Sequence, residues 1–295
     1  IDTEKDEDPE LLSIDIESIK NEPSILLYDH IDKRCVDIPL EQYIVGVVAA
    51  EMPASFDIEA LKAQAVAART LAVRKMRAYG GRGCSKYDNN ADICTFYGHC
   101  QAWISDEEQK KNWGAEYTTN RKKIVQAVED TRGLILTYQG NPIEVFFYST
   151  SNGKTEDVSE VFSVELPYYK VVDSGGEEDA PKFKEVFTFT RGEFIDIFKR
   201  HYPKAKLTKK SLESQVKILN HTESGRVGEI LVGGTKLKGK DFRSIYGINS
   251  TDFRLEFLAD KVLIHTTGYG HGVGMSQVGA DRMAKDGGTY RDILN

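Results

Sequence analysis

No stretch of the chain approaches the roughly 20 consecutive apolar residues of a bilayer-spanning helix, so nothing in its 295 residues reads as a membrane span. Positive charge is also scarce: 39 Lys and Arg stand against 46 Asp and Glu, for a net charge of -7. No basic stripe is present to neutralise phosphates, which excludes nucleic acid as a partner. Neither an internal repeat nor a low-complexity tract occurs, so solenoid and linker architectures are excluded. Cysteine is limited to four residues, three of them crowded between Cys84 and Cys100 while Cys35 stands alone. A secreted disulfide scaffold would use more of them, more widely spread. The opening "IDTEKDEDPE" lacks both Met and the features of a signal peptide. We read residues 1–22 as an acidic, solvated tether, and expect the native chain to begin upstream with a signal or an anchor.

What is present describes a globular domain. Hydrophobic residues make up 40% and charged residues 29%, with a mean hydropathy of -0.42, and the length suffices for a sizeable core. Alternation in "SILLYDHIDKRCVDIPL" predicts a hairpin from about Ser24 to Leu40, turning between Asp29 and Lys33. Helical spacing of Tyr43, Ile44, Val47, Val48 and Glu51 predicts a helix over 41–51, stopped by Pro53. A second helix is predicted from Asp57 to about Met76, with Asp57 as its N-cap and an Ala-rich surface suited to close packing. Residues 80–103 read as an irregular loop, long enough to be functional or pinned by something. A helix over 116–130 and strands at "LILTYQG" and "IEVFFYST" follow. From about 187 the texture changes to an alternation of short helices and strands that ends near 257. The strand "KVLIHTTG" and a Gly-rich loop entering a helix complete the chain.

Four groups of residues carry chemistry. Glu51 closes an apolar helix just before Pro53, where the negative end of the helix dipole and an apolar setting both disfavour ionisation, as a general acid near neutral pH requires. The loop "TTGYGHGVGMSQVGA" brings His271, Ser276 and Gln277 among glycines that let backbone approach a ligand, but it lacks the Lys-Ser/Thr pair of a phosphate loop. The strand end "FFYSTSNGK" offers Tyr148, Ser149 and Thr150. Cys84, Cys94, His99 and Cys100 are ligand types of structural zinc, although their spacings are not those of a standard finger. The same cysteines could instead pair as a disulfide, Cys94 to Cys100 or Cys84 to Cys100.

Taken together, "YIVGVVAAEMPASFDIEALKAQAVAARTLAV", "ADICTFYGHCQAW", "FFYSTSNGKTEDVSEVF" and "GYGHGVGMSQVGADRMA" resemble the stage II sporulation protein D family across nearly the whole chain. The resemblance implies a lytic transglycosylase of peptidoglycan with Glu51 as its catalytic residue. In such an enzyme one carboxyl group protonates the departing glycosidic oxygen and then deprotonates the C6 hydroxyl of N-acetylmuramic acid, closing a 1,6-anhydro ring. A hydrolase would need a second carboxylate, and none is obvious beside Glu51.

The resemblance further implies a substrate of glycan strands stripped of stem peptides, and action during forespore engulfment, between the mother-cell and forespore membranes. It implies as partners the stage II sporulation proteins P, an amidase, and M, a membrane protein, with anchoring through an N-terminal helix absent here. In clostridial relatives zinc is held by a His six residues before the position of Cys94, together with the equivalents of Cys94, His99 and Cys100. Here Asp88 stands in that first position, which leaves the fourth ligand open between Cys84 and Asp88. A set of three thiolates and one imidazole favours Cys84.

We therefore expect an α+β protein. A main catalytic domain would comprise 23–184 and 258–295, with a buried helix pair and strands. A smaller inserted α+β domain over 185–257 would form a groove wall or lid. Glu51 would act as acid then base, with Tyr148, Ser149, Thr150, His271, Ser276 and Gln277 as sugar contacts and one structural zinc. The rivals are a zinc amidase or peptidase with Glu51 as general base, and a non-catalytic wall-binding amidase enhancer.

Overall fold

A computed structural model of the chain describes residues 10–13, 23–87 and 90–295. The fold is α+β, with several small sheets among its helices. Its contacts divide the chain into two compact units, residues 1–146 with 283–295, and residues 147–282. Most of the expected tether, and Asp88, lie outside the described residues.

In the first unit, β1 (Glu10–Ser13), β2 (Ser24–Asp29) and β3 (Arg34–Pro39) lead into α1 (Leu40–Glu51) and α2 (Ile58–Lys75). Then come β4 (Ile93–Cys94), α3 (Asp106–Trp113), α4 (Tyr117–Asp130), β5 (Leu134–Tyr138) and β6 (Asn141–Pro142). The expected hairpin is present as β2 and β3 paired antiparallel, and β4 adds to β2 in parallel. Within the expected tether, β1 pairs antiparallel with β5.

The helix pair forms the core of this unit. α1 buries Tyr43, Ile44, Val47 and Val48 as its spacing predicts, and it ends because Met52, the residue before Pro53, is held extended with ψ 142°. Asp57 caps α2 by accepting the Glu59 N–H at 2.9 Å. α2 is buried almost all round, from Ala60 to Val73, because its alanines let α1, α4 and β5 approach closely.

Two polar residues of α2 are satisfied inside that packing. The fully buried Arg69 guanidinium grips Glu41 of α1 with two hydrogen bonds, 2.9 and 2.6 Å, and also donates to the carbonyls of Val128 and Leu134. Thr70 donates to Val66 and accepts the backbone N–H of Leu136 at 2.8 Å. These bonds fix α1, which carries Glu51, against α2, α4 and β5.

In the second unit, β7 (Phe147–Tyr148), β8 (Gly153–Lys154), α5 (Val158–Phe162) and β9 (Asp173–Ser174) precede a layered subregion. That subregion comprises β10 (Lys184–Thr190), α6 (Arg191–His201), β11 (Val216–His221), β12 (Val227–Val232), β13 (Thr235–Lys238), α7 (Gly239–Tyr246), β14 (Phe253–Phe257) and β15 (Lys261–Thr267). Two three-stranded sheets, β10-β15-β14 and β11-β12-β13, enclose a core of Phe194, Phe198, Ile230, Phe242 and Ile264 with α6 and α7. β16 (Met275–Ser276) and α8 (Gln277–Lys285) follow.

The strand expected at "IEVFFYST" is broken. β6 pairs with β5 at only two positions, and Phe147 and Tyr148 pair instead, in parallel, with Met275 and Ser276.

Candidate functional site

In the first unit, Glu51 is the last residue of α1 and is half-buried. Its Oε1 accepts the backbone N–H of Ala102 at 2.8 Å, which fixes where the carboxyl group points. Ala102 belongs to a segment laid along α1. The amide of Gln101 donates to the Tyr43 hydroxyl at 2.9 Å, and the Ile104 N–H donates to the Gly46 carbonyl. Burial raises the Tyr43 phenol well above its usual range, so it remains a neutral acceptor. The acids that follow it in sequence are engaged elsewhere, Asp57 as the α2 cap and Glu59 with Lys62 and the Tyr290 N–H.

Gly46 is what lets that segment lie so close. A Cβ at this position would fall 2.2 Å from the Trp103 Nε1, a distance no packing tolerates. Gly46→Ala is therefore expected to displace Trp103 and the adjoining Ala102, at a cost of about 1–3 kcal/mol for overpacking. Chemical denaturation checks it; an unchanged midpoint would contradict the packing described.

Immediately before this segment, Cys84, Cys94, His99 and Cys100 bring one ligand atom each within 4.8 Å of one another. Cys84 and Cys94 are buried and no disulfide joins these cysteines, so neither alternative pairing is made. The three sulfurs lie 3.6, 3.5 and 3.2 Å from the His99 Nδ1. A tetrahedral ion with ordinary Zn–S and Zn–N bond lengths places S and N about 3.6 Å apart, so the cluster can hold a metal ion of that size. The hydrogen bond between Cys94 and Cys100 lowers the Cys100 thiol and raises Cys94, which burial raises further. A thiolate is thus available to a cation. The adjacent His99 and Cys100 reach the same point because the chain turns here, both backbone N–H groups donating to the Phe96 carbonyl.

In the second unit the residues expected to contact sugar are brought together from two distant segments. Besides the β7–β16 pairing, Thr150 and Tyr269 exchange backbone hydrogen bonds of 2.9 and 2.7 Å, and the Val278 N–H donates to Ser149. Tyr148, Thr150, Ser276 and Gln277 are buried, whereas Ser149 and His271 are partly exposed. The His271 ring lies between Tyr148 and Phe162, with centroids 5.7 and 5.4 Å away. Burial, then Arg243, lowers it to about 4, so it is neutral at pH 7. Its Nδ1 accepts the Val273 N–H at 3.1 Å and the Phe147 backbone engages the ring as well.

One residue here escapes sequence reasoning. Glu177, in the acidic run "GGEEDA", is 1% exposed and accepts from the Ser151 N–H, Ser174 Oγ and Ser276 Oγ at 2.8, 2.9 and 2.7 Å. Burial raises its pKa. It ties the hydroxyl-rich strand end to the Gly-rich loop, and no local signal distinguishes it from a solvated glutamate.

The family model described as "Stage II sporulation protein" matches residues 29–138, the span that holds Glu51 and the Cys and His cluster. The chain is 43% identical over 281 residues to stage II sporulation protein D of Bacillus subtilis, a match covering 94% of this chain and 78% of that protein. The chain belongs to the stage II sporulation protein D family. Its similarity to the Bacillus amyloliquefaciens member is 39% over 278 residues, with the same coverage of both chains. The amidase enhancer of Bacillus subtilis is 29% identical over 299 residues, covering 84% of this chain and 38% of that protein.

Proposed function

We propose that this member of the sporulation family is a lytic transglycosylase of peptidoglycan. What carries the reading is Glu51: a single half-buried carboxyl group at the end of a buried helix, aimed by the Ala102 N–H, while Asp57 and Glu59, the next acids in sequence, are engaged. One such group completes the reaction. It gives its proton to the glycosidic oxygen as the bond to C1 of N-acetylmuramic acid breaks. It then takes the proton of the C6 hydroxyl as that oxygen closes on C1. No water enters, so no second carboxylate is needed. The substrate is glycan whose stem peptides have been removed, and the setting is extracytoplasmic, during forespore engulfment, alongside the amidase P and the membrane protein M of the same stage.

The cluster of Cys84, Cys94, His99 and Cys100 holds a structural zinc in this reading. Three thiolates and an imidazole fill all four positions of a tetrahedral ion. A zinc amidase or peptidase would need an open position for water, so the donor set argues against that rival. The similarity to an amidase enhancer favours a second reading, a wall-binding protein without catalysis.

Mass spectrometry of products from peptide-free glycan strands tests these readings. Muramic ends lighter by one water are expected. Released stem peptides from intact wall, or no product, would overturn the transglycosylase.

A further inference from the structure

The second unit contains two cationic side chains with no counter-charge. Arg226, at the start of β12, is only 2% exposed. It makes a single side-chain hydrogen bond, from Nη1 to the Lys154 carbonyl at 3.0 Å, and its buried Nε has no partner. Arg243, on α7, is half-buried, and its side chain donates only from Nε to the Ile248 carbonyl at 3.3 Å. Neither forms an ion pair among the described residues, although Glu156, Glu177 and Asp252 are in the same unit. Glu156 is taken by Thr222, Ser224 and the Asp157 N–H, Glu177 by three donors, and Asp252 by Asn152.

A buried guanidinium without an anion is costly and persists where something else compensates it. The surroundings are built to bring an anion close. Gly272 has φ +87°, and a Cβ there would lie 2.7 Å from the Arg226 Cζ, so the guanidinium packs directly on the backbone of the Gly-rich loop. The Tyr148 hydroxyl is buried without a partner as well. Burial raises its pKa, and the Ser151 hydroxyl and Arg226 both lie close enough to oppose that rise. Arg226 Nε and Tyr148 Oη are thus two buried polar atoms in one place, neither with a hydrogen bond of good geometry. Arg243, whose terminal nitrogens make no hydrogen bond among the described residues, is near enough to lower the pKa of His271, whose partly exposed ring packs edge-on against Phe162. Burial lowers Arg243, Tyr269 opposes that, and the neighbouring Arg226 lowers it further.

We propose that Arg226 and Arg243, with the Tyr148 hydroxyl, form a carboxylate-binding site, and that its occupant is the lactyl carboxylate of a muramic acid residue freed of its stem peptide. The proposal rests on the glycan reading above and names the residues that would read the absence of the peptide. An amide in place of that carboxylate carries no charge for two guanidinium groups and adds an N–H donor where donors already face each other. Fork-shaped guanidinium recognition of a carboxylate supplies the preference. The rings of His271 and Phe162 offer an apolar surface beside it for the sugar.

The test is binding, measured by ligand-observed NMR without turnover, using N-acetylmuramic acid, its methyl ester, N-acetylglucosamine and acetate as probes. N-acetylmuramic acid is expected to bind at least about tenfold more tightly than the ester or N-acetylglucosamine, the size of one charge-assisted hydrogen bond. Arg243→Gln, on a half-exposed side chain and so expected to fold, should erase that preference. Gly272→Ala should weaken it by displacing Arg226. Equal binding of acid and ester, or an undiminished preference in Arg243→Gln, would overturn the site. Acetate binding as tightly as the sugar acid would overturn the assignment to muramic acid. Failure here is separable from failure of the transglycosylase reading: anhydro ends without acid preference sink only the site, and acid preference without anhydro ends sinks only the chemistry.

Discussion

Glu51→Gln is expected to leave the fold intact and to lower glycan cleavage by about 10²–10⁴-fold, the usual contribution of a general acid–base group. The glutamine carbonyl oxygen can still accept the Ala102 N–H that Glu51 accepts at 2.8 Å, so the segment 101–104 stays on α1. What the amide cannot do is deliver a proton to a leaving oxygen or take one from the C6 hydroxyl. The two observables therefore separate: thermal denaturation and circular dichroism should be unchanged while anhydro ends disappear. Full activity in a folded Glu51→Gln protein would remove Glu51 from the chemistry. Loss of activity accompanied by a lowered melting temperature would instead mark it as a structural residue.

The placement of Glu51 was largely legible in the sequence. Helical spacing with Pro53 marked the end of α1, and Asp57 marked the start of α2, because local geometry dictates both. The buried Arg69–Glu41 pair was not, since nothing in a periodic pattern distinguishes a buried guanidinium from a solvated one. α3 went unread because its face is polar all round. Its capping box, Ser105 with Glu108, was the available signal. The broken strand near Phe147 and the burial of Glu177 depend on partners about a hundred residues away, Ser276 above all, and no local rule reaches that far. The Cys and His cluster lies between these cases. Its ligand types were legible, but the convergence of Cys84 on the other three is set by tertiary pairing, in which the Cys84 N–H donates to the Ala91 carbonyl and β4 joins β2.

Removal of the metal is expected to have the other large effect, on stability and on the site at once. Protein purified without chelator should carry about one zinc per chain. Zinc at a free concentration about 1,000-fold above its dissociation constant adds about 4 kcal/mol to stability, or roughly 8–16 °C in melting temperature for a unit of this size. Cys100→Ser should lose most of that increment, because a serine hydroxyl replaces one of three thiolates. Cys35→Ser should lose none, since Cys35 lies outside the cluster. The effect should spread to Glu51, because Cys100 is two residues from Ala102, whose N–H orients the carboxyl group. With the cluster no longer tied, the loop over 84–100 loses its internal anchor and the Ala102 bond loses its support. Glycan cleavage should therefore fall in Cys100→Ser even though no step of the reaction runs through the metal, and added zinc should restore it in chelator-treated wild-type protein but not in the variant. A metal-free protein with a Cys94 to Cys100 disulfide and full activity would overturn the zinc while leaving the role of Glu51 standing. Activity that survives chelation while stability falls would confine the metal to folding.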